Sequence, residues 1–119
     1  MEWGEEGIDM LSRHLPQLKE INAKNSRVGR ESVDILVERL PKLTVLNLKD
    51  NNMGHYSAQL CRLSSLKELR VGQDGLVEST VLRLAKYLKI LQLLDINRMR
   101  RSEMCIYRLR QLLSGKTRF

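Results

Sequence analysis

The feature that most constrains this chain is a leucine that returns at a nearly fixed interval. Leu15, Leu40, Leu63 and Leu88 are separated by 25, 23 and 25 residues, and each opens the same local pattern, L-x-x-L-x-x-L-x-L. The first copy reads Leu15, Leu18, Ile21 and Ala23, the second Leu40, Leu43, Leu46 and Leu48. The third reads Leu63, Leu66, Leu69 and Val71, the fourth Leu88, Leu91, Leu94 and Ile96. At the end of each copy apolar and polar residues alternate, the period-two signature of a half-buried strand. Helical spacing then follows, in Val33, Leu36 and Leu40, in Val81, Leu84 and Leu88, and in Ile106, Leu109 and Leu113. One period before Val33 and Leu36 stand Ile8 and Leu11, so residues 1–14 read as the second half of a repeat whose strand is missing.

A strand and helix of this size cannot bury an apolar face alone. Neighbouring copies must stack in register, and three or more are needed for stability. The pattern therefore predicts one repeat domain over residues 1–119, with a partial repeat at 1–14, repeats starting near 15, 40, 63 and 88, and a tail at 114–119.

Asn51, three positions beyond Leu48, completes a longer consensus, and Val28-Gly29-Arg30-Glu31-Ser32-Val33 followed by Leu36 and Leu40 supplies a turn-and-helix half. On these residues the chain resembles the leucine-rich-repeat family over nearly its whole length, and is similar above all to its ribonuclease-inhibitor-like or cysteine-containing subclasses. The resemblance implies an α/β solenoid, a curved stack with a parallel sheet on the concave face and helices on the convex face. It also implies a non-enzymatic protein-interaction module, a scaffold or adaptor. The consensus asparagine satisfies backbone groups in the turn after the strand, and its equivalents are Ser26, Asn51, Asp74 and Met99. Met99 cannot make such a bond, so the fourth turn is expected to differ.

In this arrangement the intervening strand positions form outward-facing columns. These are Glu20, Val45, Glu68 and Leu93; Asn22, Asn47, Arg70 and Asp95; and Lys24, Lys49, Gly72 and Asn97. Val45 and Leu93 are the branched apolar members of a mixed polar surface and read as anchors. Four strands at about 4.8 Å and five residues at about 3.4 Å cover on the order of 300 Å², short of the roughly 800 Å² per partner of a standard stable interface. Turns or flanks must add area, the binding must be weak, or the chain must be a piece of a longer array. Trp3, Ile8 and Leu11 read as an apolar end without a cap, suited to self-association or docking, whereas Met104–Leu113 reads as a closing amphipathic helix with Arg108 and Arg110 facing water.

Charge is uneven along the chain. Residues 1–39 carry 6 basic and 8 acidic groups, residues 40–79 carry 5 and 4, and residues 80–119 carry 10 and 2. Arg98, Arg100 and Arg101 cluster after the fourth strand and join the candidate partner-binding set, suited to bidentate capture of carboxylate or phosphate. Aromatic residues make up only 4% of the chain, too few to interleave with the arginines as base-stacking platforms. An acidic protein is thus the favoured target, and a nucleic-acid or ribonucleoprotein-associated role, or a structural segment of a longer repeat protein, the alternative.

Other chemistries fit poorly. Ser114-Gly115-Lys116-Thr117 resembles the end of a phosphate loop, but Arg110 stands where its first glycine belongs. His14, His55, Cys61 and Cys105 follow no zinc spacing, and no nucleophile is set beside a base, so neither a catalytic residue nor a cofactor or metal is assigned. No apolar run nears the roughly 20 residues that span a bilayer. Met1–Gly7 is acidic rather than a basic and apolar leader, so an intracellular, cytoplasmic location with both cysteines reduced is the expectation.

Overall fold

The computed structural model describes residues 4–51, 54–72, 77–96 and 102–113, with side chains from residue 6 in the first stretch and residue 58 in the second. The elements in order are α1 (Gly4–His14), β1 (Glu20–Asn22), α2 (Arg30–Arg39), β2 (Val45–Asn47), a 3-10 helix (Gly54–Arg62), β3 (Glu68–Arg70), α3 (Glu78–Tyr87), β4 (Leu93–Asp95) and α4 (Glu103–Leu112). The strands form one parallel sheet in the order β1-β2-β3-β4. Helices of successive repeats pack side by side behind it, α1 on α2, α2 on the 3-10 helix, that helix on α3, and α3 on α4.

The leucine pattern builds this stack directly. Ile21, Leu46, Leu69 and Leu94 stand in register across the four strands, each at most 4% exposed, and form one continuous row of the core. Leu40, Leu63 and Leu88 form a second row behind them, faced by Val33 and Leu36 of α2, Leu60 of the 3-10 helix, and Val81 and Leu84 of α3. Each such side chain contributes about 1.5–3 kcal/mol through burial. The helices stop where sequence chemistry requires. The Leu15 and Leu40 N–H groups still bond to Leu11 and Leu36 carbonyls, but Pro16 and Pro41 follow, and a residue before proline avoids the helical region.

The interval of 23 residues has a structural counterpart. Between β2 and β3 the connection is a 3-10 helix of nine residues, where its neighbours are α-helices of ten. A 3-10 turn rises about 2.0 Å per residue against 1.5 Å in an α-helix, so a shorter segment still spans the back of the sheet. The left-handed backbone after β1 and β2 falls on Asn25, Arg27 and Asp50, at φ 50°, 57° and 60°; Asn and Asp are types that tolerate it, Arg is not.

Three expectations about apolar positions are corrected. Leu15 opens the first copy but is 48% exposed, because it lies beside the edge strand β1, where among the described residues no further strand covers it. Ile8, expected at an open apolar end, is fully buried; α1 packs it against α2. Ile106 is only half-buried, and Cys105 takes the inward position one residue earlier. Trp3 lies outside the described residues.

Asn51 is the polar counterpart of the leucine rows. Its Oδ1 accepts from the Ser26 N–H at 3.0 Å and the Val28 N–H at 2.9 Å. Its Nδ2 donates to the carbonyls of Ala23 (2.8 Å), Leu48 (3.0 Å) and Lys49 (3.1 Å). The asparagine therefore serves not only its own turn but the buried turn of the preceding repeat. Ser26, its counterpart one repeat earlier, bonds through its hydroxyl to the Lys24 carbonyl at 3.1 Å.

Charged ties add to the contact between helices. Asp9 of α1 accepts from Arg39 of α2 and from Arg13, and Arg39 also reaches the Ser12 hydroxyl at 3.3 Å. The hydrogen bond from Arg39, chiefly, holds the Asp9 carboxyl below its ordinary pKa.

Asn51→Ala should strand buried backbone groups in two turns and destabilise the chain by about 3 kcal/mol, read as a lowered midpoint in urea unfolding. A folded-state pKa below the unfolded value means stability that is present at neutral pH and lost as pH falls through the folded value. The stability gap between the wild type and Asp9→Asn should thus hold steady near neutrality and close below about pH 4, as followed by denaturation at a series of pH values.

Candidate functional site

The sheet face carries most of the residues singled out from the sequence, and the observed register aligns them as expected. Glu20, Val45, Glu68 and Leu93 are cross-strand partners, as are Asn22, Asn47, Arg70 and Asp95. The ladder continues beyond the strands through Asn25 N–H to the Lys49 carbonyl and Asp50 N–H to the Gly72 carbonyl, which sets Lys24, Lys49 and Gly72 in the third column. Asn97, Arg98, Arg100 and Arg101, with Asp74 and Met99, lie outside the described residues.

The face is not uniform. On β1, Glu20, Asn22 and Lys24 are exposed, whereas Val45, Asn47, Lys49, Glu68, Arg70, Leu93 and Asp95 are all half-buried. Asn22 and Asn47 turn their Oδ1 atoms back to the N–H groups of Lys24 (3.3 Å) and Lys49 (3.1 Å), so these two side chains shape the exit of their own strands.

Over β2, β3 and β4 the charges pair with one another. Lys49 Nζ lies 2.8 Å from Asp95 Oδ2, with the two side chains only 16% and 18% exposed. Arg70 sits between two carboxylates, 3.8 Å from Asp95 and 3.8 Å from Glu68. The Lys49 contact crosses a whole strand, since β3 lies between β2 and β4. Gly72 permits it. It stands beside Lys49 in the third column and has no side chain to block the path. Arg70, expected as an open cation for an acidic partner, is instead held within an ion-paired network.

What the face presents is then an exposed polar margin at β1 and a neutralised, half-buried patch over the other strands. Val45 and Leu93 flank Glu68 in one row, about 10 Å apart at two strand spacings. The network fixes long side chains that would otherwise lose entropy on binding. The sequence columns identified every described member of this face. They did not show that Lys49, Arg70 and Asp95 satisfy one another, because the pairs join residues 25 and 46 positions apart in sequence.

The remaining candidates stay apart. His14 is exposed at the end of α1, Cys61 is half-buried in the 3-10 helix and Cys105 is buried in α4. Burial pushes the Cys61 thiol pKa up, against the opposing charge of Arg83, so Cys61 is held as a thiol.

Four parallel strands, a helical connection behind each pair and a core of aligned leucines define a leucine-rich-repeat-like α/β solenoid. No protein-family model and no curated protein matches the chain. Among solved structures, the C-terminal domain of tropomodulin from Caenorhabditis elegans is similar to it, with a TM-score of 0.63 over 91% of this chain and 90% of that one, at 18% identity. Likeness at that identity establishes the shared fold. No helix among the described residues is long and apolar enough to cross a membrane.

Asp95→Ala should leave Lys49 half-buried without its carboxylate and Arg70 with Glu68 alone, and cost about 1–2 kcal/mol. Lys49→Met should cost less, because Arg70 remains beside Asp95; urea midpoints of the two variants test the order.

Proposed function

We propose that the chain is a non-enzymatic protein-interaction module, a scaffold or adaptor, that binds a protein partner through the sheet face and its adjoining turns. The observation that carries this reading is the patch over β2, β3 and β4, in which Lys49, Arg70, Glu68 and Asp95 are ion-paired beside the apolar Val45 and Leu93. A patch whose long charged side chains are already ion-paired has less side-chain freedom left to lose when a partner covers it. Its specificity then comes from shape and the two apolar anchors, with the exposed Glu20, Asn22 and Lys24 as a polar rim. The solenoid fold, shared with the tropomodulin domain, supports the reading by analogy. The ribonuclease-inhibitor-like or cysteine-containing subclass remains our proposal from the turn-and-helix residues 28–40.

The test is capture from a cell extract at low and moderate salt, comparing the parent with a Val45→Asp, Leu93→Asp double variant whose folding is confirmed by circular dichroism. Retention of a specific protein by the parent at both salts, and its loss by the variant, is expected. Recovery of nucleic acid alone, released by salt and indifferent to the substitution, would replace the proposal with a basic, ribonucleoprotein-type role.

A further inference from the structure

Over the 3-10 helix, α3 and α4 the helical side of the stack shows the opposite electrostatic arrangement to the sheet. Between α3 and α4 runs a groove of about 300 Å³ lined by Leu82, Arg83, Lys86, Arg108, Gln111 and Leu112. Arg83 also lines a neighbouring hollow of about 370 Å³ with Cys61, Arg62 and Tyr87, and Lys86 and Leu112 line a third of about 400 Å³ with Lys89. The three hollows share residues and form one strip over the 3-10 helix, α3 and α4. No carboxylate lines any of them.

The cations here are exposed, and among the described residues none of Arg62, Arg83, Lys86 and Arg108 is paired with a carboxylate. Lys86 has only the Tyr87 ring, 5.4 Å away. Arg83 and Arg108 occupy the sixth position of their ten-residue helices, too far from the last turn to be explained by the helix dipole. Their neighbours three and four residues away are Ser79, Thr80, Lys86 and Tyr87, and Met104, Cys105, Gln111 and Leu112, so neither helix supplies a partner along its own surface. The same chain thus pairs its cations over β2, β3 and β4 and leaves those of this strip unmatched among the described residues, beside an apolar floor of Leu82 and the 43% exposed Leu112.

We infer that this strip is a second docking surface, and that it takes an acidic amphipathic peptide segment of a partner protein. Carboxylates of the segment pair with Arg62, Arg83, Lys86 and Arg108, and an apolar side chain enters the groove between Leu82 and Leu112. A phosphate polymer would satisfy the cations but leave the apolar floor uncovered. Three neighbouring helices at about 10 Å between axes span about 20 Å, matched by a helical segment of about 13 residues.

The probe is a fluorescein-labelled synthetic peptide of about that length with glutamates and leucines at helical spacing, titrated by anisotropy and by amide chemical-shift mapping on the intact chain. Saturable binding is expected, with shifts centred on Leu82, Arg83, Arg108 and Gln111. Arg83→Glu with Arg108→Glu should weaken it about tenfold or more, whereas the Val45→Asp, Leu93→Asp variant of the sheet face should bind as the parent does. Replacing the peptide leucines by alanine should weaken binding, as should replacing its glutamates by glutamine. Absent saturation, shifts centred on the sheet, or indifference to the leucines would overturn the inference. So would equal or tighter binding of a single-stranded oligonucleotide or of phosphatidylserine vesicles, which would assign the strip to phosphate.

Discussion

Parallel strands place the heaviest demand on this chain. Two neighbours about 4.8 Å apart cannot be joined by a tight turn; the chain must leave the end of one strand, cross behind the sheet and re-enter at the start of the next. Every repeat has to make that circuit and return in register, because a slip of one residue would turn Ile21, Leu46, Leu69 or Leu94 out of the core. The near-constant repeat length, the proline stops at Pro16 and Pro41 and the left-handed residues Asn25 and Asp50 all serve the same closed circuit. Where the repeat is two residues shorter, a 3-10 helix with a larger rise per residue completes the crossing.

Apolar rows bind the circuits to one another, yet they leave the polar backbone of each turn unanswered. Buried N–H and carbonyl groups left without partners would offset much of the gain from the leucines. Asn51 answers five of them across two repeats. At the far end Ser102 links repeats in another way, its N–H and hydroxyl donating to Glu78 of α3 while its Oγ accepts from Cys105 N–H and caps α4. The tie between α1 and α2 through Asp9 and Arg39 is a third solution. Polar connections between repeats are thus individual to each pair, although the apolar rows are uniform.

The two broad surfaces differ for a related reason. On the sheet, side chains of adjacent strands stand close enough for opposite charges to meet, and the missing side chain at Gly72 opens a path over which Lys49 meets Asp95. On the helices, Arg83 and Arg108 come from successive repeats that carry no acidic residue at matching positions, so proximity there gathers like charges. Cations over β2, β3 and β4 are thus paired and those between α3 and α4 are not, among the described residues, and the two surfaces suit partners of different chemistry.

The sequence by itself determined the repeat, the parallel strands, the columns of the sheet face and nearly all of the core. Each depends on a period of two or on the repeat length, which a single chain displays in its spacing. Tertiary structure alone decided the rest. That Ile8 is covered by packing on α2, that Asn51 serves the preceding turn, and that Lys49 reaches over β3 to Asp95 are facts about residues tens of positions apart. The groove between α3 and α4 belongs with them. Its arginines were visible as a basic carboxy-terminal third, but only stacking brought Arg83 and Arg108 side by side over Leu82 and Leu112. Pattern fixes which face a residue occupies; distance across repeats fixes which charges cancel, and that requires the stack itself.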